Sequence, residues 1–376
     1  MKIYKSTNVY EEAKERLKYL FQEFENIYVN ISGGKDSTVV FNLCLEVARD
    51  LNRLPLNVLF LDQEAEWDAT IDHVREIMNH EDVNPFWFQI PFRMTNSTSQ
   101  YETYVNTWGE GEEWIRPKES IAIHKAPWKA DRFHAFFDEF MAHYHKGEKA
   151  CHIAGVRGEE SPTRLLGLTN SATYKWITWG KKFDPKREHY NFYPIYDWSY
   201  RDVWKYINDN EFSYNRIYDY QYQHGIPVNK MRVSNLHHET AIHQLFYMAE
   251  CEPENYNKLV KRIKGINSAV KSNDTGFFLY ELPFMFTDWK EYRDYLLDKL
   301  IMDDKEKERF AKAFKAQDKI YEKYLADKMH KVHVQSILAN DISHTKLKNF
   351  DRSPACYQIR KKLKNEGNTE INQEAV

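Results

Sequence analysis

Cysteine is scarce and scattered. The four, Cys44, Cys151, Cys251 and Cys356, lie far apart and include no C-x-x-C pair. That pattern argues against a zinc site, an iron–sulfur site or a disulfide framework, and suits a reducing cytoplasm. An excess of one charge is also missing: 53 Lys and Arg face 56 Asp and Glu, a net charge of -3. No global field then selects nucleic acid or a membrane, and any basic surface must be local. No apolar run is long enough to span a bilayer, and the first residues lack the apolar segment of a signal peptide. A cytoplasmic protein without a membrane partner is expected. Internal repeats are absent too. Aromatic residues, by contrast, are plentiful at 15%, and many stand in polar stretches, a pattern met by ring contacts to a ligand or by an aromatic-rich core. With 376 residues there is material for two ordinary domains.

The stretch Ser32-Gly33-Gly34-Lys35-Asp36-Ser37 organises the rest. Before it, residues 27–31 alternate and are β-branched or aromatic, as in a buried strand. After it, Val39, Val40, Leu43, Val47 and Leu51 recur at helical spacing, with Ser37 and Thr38 available to cap the first turn. Two glycines let the backbone turn tightly and aim its N–H groups at a ligand, where the positive end of the helix dipole also points. Strand, loop and helix together ask for a phosphate. The blander reading is a tight βα turn with an incidental Lys and Asp. The loop is too short for a G-x-x-x-x-G-K-[ST] P-loop.

A leading helix is expected over residues 8–25. A second apolar run, 56–61, ends at Asp62 and Glu64. Acidic groups at a strand's carboxyl end lie beside the ligand in an open parallel sheet, so these two are candidates for ribose or adenine contacts or for Mg²⁺. Capping the following helix is the alternative for Glu64 and Glu66. A third strand is expected at 86–90. Residues 91–128, with Trp108, Trp114 and Trp128, read as a lid or substrate loop, or else as a rigid excursion with aromatic plugs. His134, His143 and His145, on an expected helix over 131–145, have no matching thiol or acidic cluster and read as packing or surface groups. A fourth strand, 150–155, precedes Arg157 and Arg164, two guanidinium groups spaced to clamp phosphate or sulfate. Ser199 and Asp202 are spaced as a capping box for a helix from Tyr200.

The 32–37 loop resembles the S-G-G-x-D-S loop of the PP-loop ATP pyrophosphatases. Gly155, Arg157, Glu160, Ser161 and Arg164 stand as in the G-x-R-x-x-[QE]-S-x-x-R segment of that family's phosphoadenylylsulfate (PAPS) reductase branch, and residues 194–204 as in its P-[IL]-x-x-W-[ST]-x-x-D-V-W segment. The resemblance covers about residues 25–235 and implies an α/β, Rossmann-like (adenine nucleotide alpha hydrolase-like) parallel sheet flanked by helices. It implies that Ser32, Gly33, Gly34, Lys35, Asp36 and Ser37, with Asp62, Glu64, Gly155, Arg157, Glu160, Ser161 and Arg164, bind ATP. Catalysis would fall to Lys35, Asp36, Arg157 and Arg164, and Mg²⁺ to Asp36 and Asp62. The branch's E-C-G-x-H motif and paired cluster cysteines are missing, which speaks against sulfonucleotide reduction and an iron–sulfur cluster. Cys251 and Cys356 are the nearest thiols. Residues 223–233 replace the cysteine-bearing turn and resemble the subfamily encoded beside ParB-like partners, with Lys230 and Arg232 as substrate contacts or ordinary salt-bridge residues.

The implied reaction is cleavage of ATP between the α and β phosphates to adenylylate an acceptor. The alternatives are a nucleotide-sensing regulator working with a ParB-like partner and a sulfonucleotide-binding protein without reductase activity. Beyond 235 the sequence reads as helical: Glu239 to Glu250, Pro253 to Lys271, Thr287 to Ile301, and one long helix from Asp303 to His330. The expected division is a nucleotide domain at 1–235, a helical subdomain at 236–345 and a basic, partly disordered tail at 346–376. Lys346, Lys348, Arg352, Arg360, Lys361, Lys362 and Lys364, interleaved with Phe350 and Tyr357, suit a nucleic-acid backbone or a solvated tail.

Overall fold

The computed structural model describes residues 6–98, 102, 104–129, 132–169, 171–183, 186–238, 241–266, 281–301, 303–338 and 341–373. It divides into two units, 1–94 with 106–235, and 95–105 with 236–376.

The first unit follows from residues that alternate between two buried faces. In β1 (Asn26–Asn30), Ile27 and Val29 join one apolar cluster and Tyr28 the other. In β2 (Leu56–Leu61), Val58 and Phe60 oppose Leu59 and Leu61 in the same way. A sheet apolar on both faces needs helices on both, the arrangement that βαβ crossovers supply. One face packs α1 (Val9–Glu23), α2 (Lys35–Asp50) and α3 (Asp68–Met78) through Leu17, Leu20, Val39, Leu43, Val47, Val74 and Ile77. The other packs α4 (Phe133–Tyr144) through Phe136, Phe140 and Met141. Each such side chain, buried in full, contributes about 1.5–3 kcal/mol.

With β3 (Val83–Phe88), β4 (Ala150–Ala154), β5 (Gly180–Lys182) and β6 (His189–Phe192), the six strands run in the order β3-β2-β1-β4-β6-β5. The pairings are parallel except that of β5 with β6. From β1 the chain proceeds to β2 on one side and later returns to β4 on the other. The carboxyl ends of β1 and β4 therefore flank the switch point where open α/β sheets take their ligands. The unit is completed by α5 (Pro162–Thr169), α6 (Tyr200–Asp209) and α7 (Ile217–Gln223). The Ser199–Asp202 capping box forms as expected.

Three local expectations change. β3 starts at Val83, three residues early, and takes in Pro85 opposite Val58; it is an edge strand, where a missing N–H is tolerated. Ser37 and Thr38 do not cap α2: the N-cap is Gly34, and both hydroxyls donate back to its carbonyl, at 2.8 and 3.1 Å. In the 108–128 part of the expected lid, aromatic residues are packed as plugs while residues 110–113, 117, 120, 121, 124, 125 and 127 are exposed. Trp108 is fully buried, and Trp128 lies against Phe88, Phe136 and Phe140. His145 bonds Tyr28 Oη at 2.9 Å, and His143 packs on Trp128.

The second unit is helical: α8 (Ile242–Cys251), α9 (Pro253–Arg262), α10 (Trp289–Lys299), α11 (Asp304–Leu338), α12 (Thr345–Asp351) and α13 (Pro354–Gln373). Glu239 and Lys271, the expected ends of two of these helices, lie outside the described residues. α11 is not the single rod expected. Its helical geometry breaks at Leu325 (φ -139, ψ 32), and Gln317 Oε1 meets His333 Nε2 at 2.8 Å. Residues so far apart on a straight helix would be separated by about 24 Å, so the chain folds back at the break. The basic stretch from 346 continues the helical unit. It is helical to Gln373, buries Leu347, Phe350 and Cys356, and holds Arg360 on Tyr321 Oη (2.9 Å) and the Asp351 carbonyl (2.6 Å). No helix among the described residues is long and apolar enough to cross a membrane.

Candidate functional site

Gly33 takes φ +70, and a Cβ there would lie 2.6 Å from Thr70 Cγ2. Only glycine fits that turn. The loop closes on itself as Ser32 N donates to Ser37 Oγ (3.1 Å). Asn215 Nδ2 braces it from outside, donating to Gly33 O (2.9 Å) and Thr70 Oγ1 (2.8 Å). Lys35 N donates to Tyr218 Oη at 2.8 Å. The amides of Gly33, Gly34, Asp36 and Ser37 find no acceptor among the described residues. They are the unmet donors of a helix start, gathered at the positive end of a 16-residue helix.

β4 brings its own end against this point. A Cβ on Gly155 would lie 2.5 Å from the Asp36 carbonyl carbon, so only glycine permits the approach. Arg157, 5% exposed, then donates through Nε to Asp36 Oδ1 and through Nη1 to Glu159 Oε2 (3.0 Å). Burial disfavours its charge, but Asp36, Glu160 and Glu159 outweigh that and hold its pKa above the ordinary value. Lys35 is equally buried. Its Nζ donates to Met231 O (3.0 Å) and lies 3.3 Å from Asp36 Oδ2. Lys35, Asp36 and Arg157, from opposite sides of the switch point, thus form one linked cluster. Glu160 joins it by accepting from the Arg157 amide (3.0 Å) and pairing with Arg164, whose own amide donates to Ser161 Oγ (3.1 Å). Arg164 is exposed at the rim, as are Lys230 and Arg232.

Asp62 and Glu64 are occupied otherwise than expected. Asp62 is completely buried, and its oxygens accept from Arg116 Nη2 (2.6 Å to each), Trp87 Nε1 (2.9 Å), Gln89 Nε2 (2.9 Å) and the Glu64 amide (2.9 Å). Glu64, in the left-handed region at φ 66, accepts from the amides of Trp108 (2.7 Å) and Ile115 (3.3 Å). These carboxylates fasten the 108–116 segment to the end of β2, and a metal on Asp62 would have to displace Arg116. Sequence reasoning missed Arg116, Asn215 and Tyr218 because each acts on a residue dozens of positions away and none sits in a motif.

Glu66, buried beside Asp62, has its pKa raised to about 8, first by burial and then by the Asp62 charge, with Arg116 opposing. The folded state therefore holds a proton that the unfolded chain releases near 4.5. Stability from this group is fully present below the unfolded value and is lost as pH rises toward 8, by up to about 1.4 kcal/mol per pH unit. Urea midpoints at pH 5, 7 and 9 are expected to fall in that order for the native chain and to fall less for Glu66→Gln; equal slopes would refute the assignment.

A thiolate nucleophile is poorly served. Cys44, Cys151 and Cys356 are buried, and burial together with Glu250 and Glu252 raises the pKa of half-buried Cys251. A reactive thiol needs cationic neighbours instead.

A parallel sheet with an anion-seeking glycine loop at its switch point defines a protein of the PP-loop class. The chain belongs to the phosphoadenosine phosphosulfate reductase domain family, whose sequence profile matches residues 26–224. Residues 225–368 match a second family, described as a domain of unknown function (DUF3440). Over 321 residues, 80% of this chain and 78% of the relative, it is 27% identical to the uncharacterized protein YbdN of Escherichia coli (strain K12). It is 26% identical over 216 residues to the adenosine 5'-phosphosulfate reductase of Lysinibacillus sphaericus (strain C3-41), 57% of this chain and 77% of that one. Among solved structures, the FMN adenylyltransferase of Candida glabrata with FMN and the ATP analog AMPCPP aligns at TM-score 0.37 and 13% identity. That alignment spans 58% of this chain and 65%, under two thirds, of the other. The phosphoadenylyl-sulfate (PAPS) reductase of Candida auris aligns at TM-score 0.30 and 13% identity, over 55% and 84%.

Proposed function

We propose that this chain binds ATP with its β,γ-pyrophosphate on residues 32–37 and cleaves it between the α and β phosphates to adenylylate an acceptor. The observation that carries the reading is the set of unmet amides at the start of α2 beside two buried cations, Lys35 and Arg157. An acceptor oxygen attacks the α-phosphorus, the bond to the bridging oxygen breaks, and pyrophosphate leaves with the electron pair. The acceptor's proton passes to solvent. Charge grows on the leaving oxygens, and Lys35 and Arg157, preorganised in a dry site, offset it. Arg164 at the rim meets the outer phosphate or the acceptor.

Among the described residues no three His, Cys, Asp or Glu side chains group as a metal cage. Mg²⁺ suits such a donor set, since it takes most of its ligands from phosphates and water and needs one or two carboxylates. Asp36 would hold it. When bound it supplies neutralisation of phosphate charge.

A second reading, a nucleotide sensor acting with a partner such as a ParB-like protein, is favoured by one feature. The carbonyl that holds Lys35 belongs to Met231, five residues before Leu236, where the chain passes into the larger segment of the second unit. Product analysis separates the readings. The enzyme converts Mg·ATP slowly to AMP and pyrophosphate with water as acceptor, and neither Cys251→Ala nor Cys356→Ala changes the rate. ADP and phosphate as products, or turnover lost with either thiol, contradict the proposal.

A further inference from the structure

We propose that the Tyr218 hydroxyl is a phosphate ligand of this site, donating a hydrogen bond to the pyrophosphate held on residues 32–37. The inference rests on the nucleotide reading above and adds to it a residue that the sequence motifs do not contain.

Tyr218 stands on α7, far along the chain from the loop, yet the fold fixes its tip there. Asn215 accepts from the Ile217 amide (3.0 Å) and donates to Gly33 O (2.9 Å), which ties the start of α7 to the loop. The Trp204 ring packs edge-on to Tyr218 at 5.1 Å between centroids. On the loop side, the Lys35 ammonium lies 5.2 Å from the ring centroid, and the hydroxyl lies 3.3 Å from where a Cβ of Gly34 would stand. Tyr218 is 3% exposed.

The hydrogen-bond inventory of this hydroxyl is incomplete. A phenol has one proton to give and lone pairs to receive. Here the oxygen accepts from the Lys35 amide (2.8 Å), and among the described residues its own proton has no acceptor. Burial, then the Asp36 charge, pushes its pKa far above the ordinary value, so it stays a donor across the physiological range. A buried donor without an acceptor is costly, and this one sits beside the unmet amides of Gly33, Gly34 and Asp36. An oxyanion at that point satisfies the hydroxyl and the amides together. A purely structural tyrosine would need its ring and its bond to Lys35 N, but not the free proton.

Tyr218→Phe keeps the ring and removes the proton. Titration of the full chain with inorganic pyrophosphate and with Mg·ATP is expected to show both Kd values raised about tenfold. AMP, which lacks the outer phosphates, is expected to bind with unchanged affinity. A variant that weakens AMP as much as pyrophosphate, or that binds pyrophosphate as tightly as the native chain does, overturns the role of Tyr218 and leaves the loop assignment standing. A native chain that binds neither pyrophosphate nor Mg·ATP overturns the nucleotide reading itself. Should the variant fail to fold, 3-fluorotyrosine at position 218 keeps the question open to test. Saturating pyrophosphate is expected to shift its ¹⁹F resonance, and no shift overturns the proposal.

Discussion

Lys35→Ala is expected to lower pyrophosphate release from Mg·ATP by about 10²–10³-fold, the loss typical when one preorganised electrostatic donor is removed from a dry site. The size follows from where the charge sits. The Lys35 ammonium is buried, is held by the Met231 carbonyl at 3.0 Å, and lies 3.3 Å from the Asp36 carboxylate. It is already desolvated and aimed, so little reorganisation remains when the leaving group gains charge. The fold loses little, because Arg157 continues to pair Asp36. Arg164→Ala serves as the contrast: its side chain is 49% exposed and its ion pair is with Glu160 at the surface, so its removal is expected to cost well under a tenth as much in rate. Initial rates with thermal midpoints for each variant check both. Equal losses for Lys35→Ala and Arg164→Ala would contradict the account of the site.

Arg116→Ala is expected to destabilise the first unit by about 3–5 kcal/mol, the range for a buried ion pair broken from one side. Asp62 is left fully buried with its counter-ion gone. The guanidinium also donates to the Glu64 carbonyl (2.5 Å) and lies 5.1 Å from the Trp108 ring centroid, so the 108–116 segment loosens from the end of β2. Removing the stranded charge is expected to help: Arg116→Met with Asp62→Asn recovers part of the loss, since a neutral pair needs no counter-ion. Urea denaturation of the single and double variants reads the difference. A double variant no better than Arg116→Ala would mean that the arginine acts by packing alone.

What the sequence discloses and what it hides divides along the range of the interactions. The loop and its flanking elements are local: Ile27 to Ile31 alternate, two glycines follow, and Val39 to Leu51 keep helical spacing, so the order of β1, loop and α2 can be read directly. Gly155 and Arg157 are legible because they stand in a motif just after a strand. The partners that decide what each carboxylate does are not local. Asp62 is neutralised by Arg116, 54 positions away, and Lys35 meets Met231, 196 positions away; no periodicity encodes either. The break in α11 is hidden for another reason. Phe310, Phe314 and Tyr321 before it and Met329, Val334 and Ile337 after it keep a helical apolar pattern on both sides of Leu325, so a continuous stripe conceals a fold-back. The basic run at 346–364 looks like a solvated tail because seven Lys and Arg face a single Asp, yet Leu347, Phe350 and Cys356 suffice to bury one face.

The most direct test is a calorimetric titration of Mg·ATP into the full-length chain and into the Lys35→Ala, Asp36→Ala double variant. The loop assignment predicts one saturable binding event for the native chain and its loss in the double variant, with inorganic pyrophosphate competing for the native site. No heat from the native chain, or the same heat from both proteins, would contradict it.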